Sequence, residues 1–347
     1  MTYVHRPHLP PPTIQRRRLT RHSHNRVWKK ATRMNRILER IEREAGVPGL
    51  ATILVERLDS TDLQSLLLQV YRMRSQQRQP SAVLADYQTN RFVRPASLSP
   101  VRLLEWERVA FSNLPPEFEP IELSPVCPLG TCSAVAPVDQ NWSVSTIRNT
   151  EVVSDSTNVL ALECAVRRRE QLRVQPKSPG AVHLAASHRV VRGQHYDNPN
   201  LVAHFSLFAL CSAGRDKRAL QFEIKSLALH VSFYVRSLQA FLGGNVPLRI
   251  SVSDMRPQTD ASILESRLLS PIRKQFANVT CVIDSQRTRG RGYYTDLCFN
   301  IHAALPDRLI ELVDGGSVDW TQRLLSDSKE RLVISGIGSE RVCTKFN

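Results

Sequence analysis

Apolar residues recur at helical spacing through residues 34–100, and after Phe118 that rhythm breaks into short, proline-punctuated, alternating runs. In the first part Leu63, Leu66, Leu67 and Val70 mark one helix face, because side chains three and four residues apart lie over one another. Thr61 followed by Gln64 predicts a capping box for that helix. Another helix is predicted at about 101–112, ahead of Pro115-Pro116. In the second part Pro120, Pro125, Pro128 and Pro137 separate extended pieces rich in Val, Ile and Thr. Val182 to Val191 and Phe205 to Cys211 read as strands. From Phe222 to Leu242, the apolar positions Ile224, Leu227, Ala228, Val231, Val235, Leu238 and Leu242 predict a long helix that Gly243-Gly244 stops. Leu297, Phe299 and Ile301 alternate with Asp296, Cys298 and Asn300, the pattern of a half-buried strand.

Strands in hairpin-like succession with one long helix between them predict an α+β fold, an antiparallel sheet flanked by helices. A small helical region precedes it. The expected division is a basic tail at 1–33, the helical region at 34–100 and the core at 101–347. No internal repeat is visible.

Composition changes this picture in three places. No apolar run approaches the roughly 20 residues that span a bilayer, and no signal-peptide core opens the chain, so no membrane partner is expected. Seven cysteines without a Cys-x-x-Cys pair predict reduced, mostly buried thiols in a cytoplasmic protein. The net charge of +15 resembles a nucleic-acid signal, but residues 1–36 hold ten Lys/Arg and no Asp/Glu, leaving +5 for the rest. The basic excess is a property of the tail. Its Pro10-Pro11-Pro12 and Arg16-Arg17-Arg18 runs predict disorder and a nonspecific RNA contact, unless translation begins at Met34, where clean periodicity starts.

The chemistry-bearing segments come in a fixed order. Phe118 to Pro125 is a strand entry that ends in proline. His188-Arg189-Val190-Val191-Arg192-Gly193-Gln194 precedes a variable loop and His204-Phe205. Arg289-Gly290-Arg291-Gly292-Tyr293-Tyr294-Thr295 is followed by Asp314-Gly315-Gly316-Ser317-Val318-Asp319. Gly336-Ile337-Gly338-Ser339-Glu340-Arg341 follows the apolar Leu332-Val333-Ile334, which predicts a strand, a tight glycine turn and an arginine at a helix start. Gly-x-x-x-x-Gly-Lys-Ser/Thr, His-Glu-x-x-His and Gly-x-Ser-x-Gly are absent, and no dedicated metal site is expected.

This ordered set resembles motifs 1, 2 and 3 of class II aminoacyl-tRNA synthetase catalytic domains, over about residues 100–347. The likeness is greatest to histidyl-tRNA synthetase and its paralogue, the regulatory subunit of ATP phosphoribosyltransferase. The resemblance implies site roles. Arg192 stands where the family places the arginine that binds the α-phosphate of ATP, and Gln194 replaces the motif 2 Glu while keeping the ability to bond an adenine edge. Arg341 matches the motif 3 arginine, with Phe205, Gly336 and Gly338 completing the ATP site. Arg289 matches the arginine that assists adenylate formation. Asp155 and Thr157 stand in the family's substrate loop, where Asp155 would hold an ammonium group; from the residues alone, Asp155 reads equally well as the N-terminal Asp of a helix over Val159–Ala165. Tyr293, Tyr294, Gly315 and Gly316 complete the substrate side. The resemblance also implies ATP with magnesium, and a homodimer.

Three departures shape the expected function. Counting from Phe205, Leu207 and Cys211 occupy the positions at which histidyl enzymes place a Gln and a Glu to read imidazole, so histidine is not expected as substrate. The sequence stops just beyond motif 3, and Arg291-Gly292 replaces the usual Leu-Asp. The expectation is therefore a protein that binds ATP and activates an amino acid or related small carboxylate as its adenylate for an unknown acceptor, without being a full tRNA synthetase. The alternative is a catalytically silent paralogue that serves as a regulatory or binding subunit.

Overall fold

The computed structural model describes residues 34–177, 179–194, 203–257, 261–276 and 278–346. The chain divides into two compact units, residues 1–72 and 73–347. In the first, α1 (34–45) and α2 (Leu50–Glu56) lead into α3 (Ser60–Gln76). The cap of α3 corrects the sequence reading: Asp59 Oδ1, not a Thr61–Gln64 box, accepts the backbone N–H groups of Thr61 and Asp62 at 3.0 and 2.9 Å. The expected tail at 1–33 lies outside the described residues.

The second unit begins with α4 (Pro80–Thr89) and α5 (Pro100–Ser112), each with proline in its first turn, where the missing N–H costs nothing. Strand β1 (Glu119–Pro120) follows, then a three-stranded sheet of β2 (Val126–Pro128), β3 (Val144–Ser145) and β4 (Thr150–Val152) in the order β2-β4-β3. Buried Glu151 organises this small sheet. Its carboxylate accepts from the Gly130 and Cys132 backbone N–H groups and from Gln140 Nε2. Helix α6 (Ser156–Val174) leads to β5 (Val182–Val191) and β6 (His204–Arg215), and α7 (Gln221–Leu242) to β7 (Leu248–Asp254). Helices α8 (Ala261–Leu264) and α9 (Ser270–Gln275), joined by a wider turn, precede β8 (Val279–Ile283). The chain then forms β9 (Leu297–Ala304), β10 (Leu309–Val318), α10 (Trp320–Leu325), β11 (Glu330–Gly338) and α11 (Ser339–Lys345).

Eight strands form the main sheet in the order β1-β5-β6-β11-β10-β9-β7-β8. All neighbours are antiparallel except the two edge pairs, β1 with β5 and β7 with β8. The α+β expectation holds. Strand alternation divides the sheet into two faces. Ala185, Phe208, Leu210, Ile250, Phe299, Ile301, Val313, Val333 and Ile337 pack with α7 and α5 residues in one core. Leu184, Ala209, Cys211, Cys298, Val318 and Ile334 pack with Leu160 and Ala161 of α6 in the other. Gly243 ends α7 at φ +83°, as its sequence predicts.

One ion pair ties α6 to the sheet. Arg168 on α6 donates Nε and Nη2 to Glu330 at the start of β11, both at 2.8 Å, and both side chains are fully buried. All seven cysteines are free and buried. Among the described residues, no helix is long and apolar enough to cross a membrane.

Candidate functional site

Residues that face α6 on the sheet are fixed by the same alternation. On β6 these are Phe205, Leu207, Ala209 and Cys211; on β11, Leu332, Ile334, Gly336 and Gly338. Asn300 and His302 share this side with Cys298 on β9. Glu311 joins them through a β-bulge. Register shifts between Glu311 and Val313, so Glu311 stands opposite His302 although Val313, two residues on, belongs to the α7 face.

Arg192 extends from the end of β5 over the same face. Its Nη2 donates to Asp155 Oδ2 at 3.0 Å, its Nε donates to the Ser154 carbonyl at 3.0 Å, and its guanidinium lies 5.0 Å from the centre of the Phe205 ring. Asp155 combines both sequence readings. Its Oδ1 caps α6 by accepting from the Thr157 N–H and hydroxyl at 3.0 and 2.8 Å, while Oδ2 takes Arg192. Arg192, Asp155, Thr157 and Phe205 thus form one cluster. The backbone beyond Arg192 is held by Arg91, which donates to the carbonyls of Gly193 and Gln194 at 2.7 and 3.0 Å.

Arg289 and Arg341 meet elsewhere, on Glu311. Arg289 Nη1 lies 2.9 and 3.0 Å from the two Glu311 carboxylate oxygens, and Arg341 Nη1 donates to the Glu311 carbonyl at 2.9 Å. These two arginines and Arg192 therefore have different partners.

The strand through Gly336 and Gly338 corrects the expected glycine turn. Both glycines lie in β11, and α11 starts at Ser339 without an intervening turn. Trp106 of α5 fixes this junction by donating Nε1 to Ser339 Oγ at 3.0 Å, with both residues fully buried. A Cβ at Gly338 would meet nothing nearer than Arg341 Cβ at 3.7 Å, so this end of the strand leaves open surface.

Tyr294 and the two glycines of β10 are placed differently from the sequence expectation. The Tyr294 ring is clamped between glycines: a Cβ on Gly290 would stand 2.7 Å from Cδ2, and a Cβ on Gly316 would stand 2.7 Å from Cδ1. Gly316 is therefore covered by the protein's own tyrosine, and Gly315 faces the α7 side, against Phe299. Tyr293 packs edge-on against Tyr294 and Trp320. Burial pushes both phenols well up from their ordinary values, with Asp155 adding to the effect at Tyr293 and Asp314 at Tyr294.

Sequence reasoning missed the polar floor next to this clamp. Arg287, whose side chain is 5% exposed, donates Nη2 to Asp314 at 2.7 Å and Nε to the Arg289 carbonyl at 3.0 Å. Burial pushes the Asp314 carboxyl up, and Arg287 opposes that rise. Arg287 Nη1, Asn300 Oδ1 and His302 Nδ1 are buried without a hydrogen-bond partner. Unsatisfied buried groups are costly, so a concentration of them beside Glu311 and Asp314 is what a polar ligand would complete. The one available signal was period-two alternation in β9, which puts Asn300 and His302 on a common side with Cys298. No three His, Cys, Asp or Glu side chains among the described residues form a metal cage. Glu311 and Asn300 carry side-chain oxygens of this floor, with both Glu311 oxygens accepting from Arg289 and Oε2 also 3.5 Å from Asn300 Nδ2.

No family model and no curated protein sequence matches the chain. Solved structures do match it. An ATP phosphoribosyltransferase regulatory subunit/histidyl-tRNA synthetase from Bacillus halodurans is 13% identical with a TM-score of 0.54, covering 74% of this chain and 82% of that one. The chain has a class II synthetase-like fold. Apo histidyl-tRNA synthetase from S. aureus aligns at 13% identity and a TM-score of 0.51 over 72% of this chain and 68% of that one. A histidine–tRNA ligase subunit from Alicyclobacillus acidocaldarius aligns at 14% and 0.50 over 72% and 96%. Identities this low carry the fold and not the activity. In the class II synthetase-like fold of this chain, Leu207 is 7% exposed and Cys211 is fully buried with its thiol turned to the Thr157 carbonyl at 3.7 Å, so neither presents a polar partner for imidazole.

Proposed function

We propose that the α6 face of the sheet binds ATP and a small carboxylate, in the first place an amino acid, and joins them as an adenylate for transfer to an acceptor. The observation that carries this reading is the Arg192–Phe205–Asp155 cluster on the same face as the open end of β11 at Gly338 and the unsatisfied floor of Asn300, His302 and Arg287. Cation, aromatic ring and smooth backbone suit a purine with its phosphates.

In this reading Phe205 and Arg341 flank the adenine, Gln194 bonds its edge, and Arg192 leaves Asp155 for the α-phosphate. Asp155 and Thr157 then hold the amino group of the substrate. The substrate carboxylate oxygen attacks the α-phosphorus. The new P–O bond forms as the bond to the bridging oxygen of the β-phosphate breaks, and pyrophosphate departs with that electron pair. Arg289 offsets the charge that builds up on the transferring group, a contribution of about 2–4 kcal/mol for one well-placed donor. Magnesium held by Glu311 and Asn300 would supply further charge neutralisation on the phosphates.

Exposed Val101, Leu104 and Phe111 on α5, at 66%, 64% and 39%, support a homodimer through this helix. An RNA contact through residues 1–33 is proposed from charge alone. A second reading, in which the face binds ligand without chemistry, draws on the mutual neutralisation of Arg192 and Asp155 and on Tyr294 covering Gly316. ATP–pyrophosphate exchange with a panel of amino acids separates the two. Exchange that Arg289→Ala abolishes supports the enzyme; ATP binding with no exchange for any amino acid supports the silent subunit.

A further inference from the structure

A polar cavity of about 360 Å³ opens at the opposite end of the sheet from Arg192 and Gly338. It is bounded by the end of β6 (Asp216, Arg218), the first turn of α7 (Glu223), the approach to β9 (Thr295, Asp296), the start of α10 (Asp319, Gln322), Arg256 and Arg331. Strand β6 runs from Phe205 to Arg215 between the two regions, about 34 Å at the usual rise of about 3.4 Å per residue. The cavity therefore does not belong to the site described above.

Its charges are incompletely matched. Arg331 is divided between Glu223 at 3.0 Å and Asp216 at 3.3 Å. Arg256 is occupied by Asp254, which it meets at 2.7 Å. Glu223 is only 1% exposed, and its second oxygen, Oε2, has no hydrogen-bond partner. Burial raises the affinity of this carboxyl for a proton, and the nearby Asp296 and Asp216 raise it further against the opposing effect of Arg331. Among the described residues, the guanidinium of exposed Arg218 has no carboxylate partner. The cavity thus presents a deep, unpaired acceptor beside Asp296 and a free cation at its rim.

We propose that this cavity is a second ligand site, which takes a small zwitterion: a primary ammonium against Glu223 and Asp296, and a carboxylate against Arg218 and Gln322. An ammonium donates three N–H groups and carries the charge that a desolvated carboxylate lacks. A metal ion fits less well, because no three metal-ligating side chains converge among the described residues. A single water would satisfy Oε2 but would fill only about 30 Å³ of the space. A simple cation would leave Arg218 unmatched. Occupancy would join β6, α7, β9 and α10 across one ligand, so binding should stabilise the whole unit.

The test uses the full-length chain with Asp155→Asn, which weakens the ammonium position on the α6 face. Isothermal titration with L-alanine, β-alanine and 4-aminobutyrate is expected to show saturable binding of at least one, tighter than that of methylammonium or acetate alone. Adding Glu223→Gln, which keeps shape and removes charge, should weaken it about 10- to 100-fold, the range of a charge-assisted hydrogen bond. Arg218→Gln, at an exposed position, should weaken it about tenfold and serves as the second variant if Glu223→Gln unfolds the chain. No binding of any of the three zwitterions, or affinities that neither substitution changes, would overturn the proposal.

Discussion

The Arg192 guanidinium and the Asp155 carboxylate stand 3.0 Å apart, each the natural partner of a group on the proposed substrates. The two charges thus neutralise each other, and ATP with an amino acid would exchange this pair for two intermolecular ones. Both side chains are about a quarter to a third exposed, at 30% and 25%, so the pair itself contributes at most about 1 kcal/mol. Asp155→Asn preserves an oxygen to cap α6 through Thr157. The variant should keep its melting temperature within a few degrees, bind ATP at least as tightly as the parent, and lose about tenfold or more of any amino-acid-dependent exchange. Weaker ATP binding together with unchanged exchange would contradict these roles.

The Arg168–Glu330 pair should behave in the opposite way. It is fully buried and bidentate, so removing Arg168 leaves the buried Glu330 carboxylate with only the longer Arg215 contact, at 3.6 Å, to offset its charge. Arg168→Ala should lower unfolding free energy by about 3–5 kcal/mol in urea titrations. A loss under about 1 kcal/mol would show that water reaches the site.

Glycines 316 and 338 provide a matched contrast. A Cβ at 316 would stand 2.6 Å from the Leu297 carbonyl oxygen and 2.7 Å from Tyr294 Cδ1, and backbone cannot swing aside. Gly316→Ala should cost about 1–3 kcal/mol of stability. Gly338→Ala has room, with its nearest contact at 3.7 Å, and should leave stability nearly unchanged while weakening nucleotide binding. Equal melting temperatures for the two variants would contradict the clamp around Tyr294.

Acid should unfold the protein partly through His230. This ring sits in a buried chain, with Ser212 Oγ 2.9 Å from Nε2 and Ser335 Oγ 2.7 Å from Nδ1. Burial pulls its pKa down to about 3. The unfolded side chain titrates near 6.5. Below about 6.5 the unfolded state therefore binds more protons than the folded one, and stability falls as pH drops from there towards 3. The slope from this group approaches about 1.4 kcal/mol per pH unit. Urea titrations at pH 7.5 and 5 should show a larger loss for the parent than for His230→Gln; equal losses would show that His230 is not the group responsible.

The sequence made the strands, the long α7 and the α+β class legible because each repeats a two- or 3.6-residue period. The motif order located Arg192, Asp155, Thr157 and Phe205, which the fold brings together. Three features were hidden for physical reasons. The Asp59 cap of α3 precedes the apolar pattern that drew attention to Thr61. The bulge between Glu311 and Val313 inverts the side of the sheet that plain alternation would give Glu311. The Tyr294 clamp depends on glycines 26 residues apart, Gly290 and Gly316, which only the sheet juxtaposes.

Nucleotide binding on the α6 face is tested by calorimetric titration of ATP into the full-length protein and into Arg192→Ala and Arg341→Ala. Saturable binding to the parent is expected, with affinities about tenfold or more weaker in both variants, as when a charge-assisted phosphate contact is removed. No binding to the parent, or binding that neither substitution alters, would contradict it.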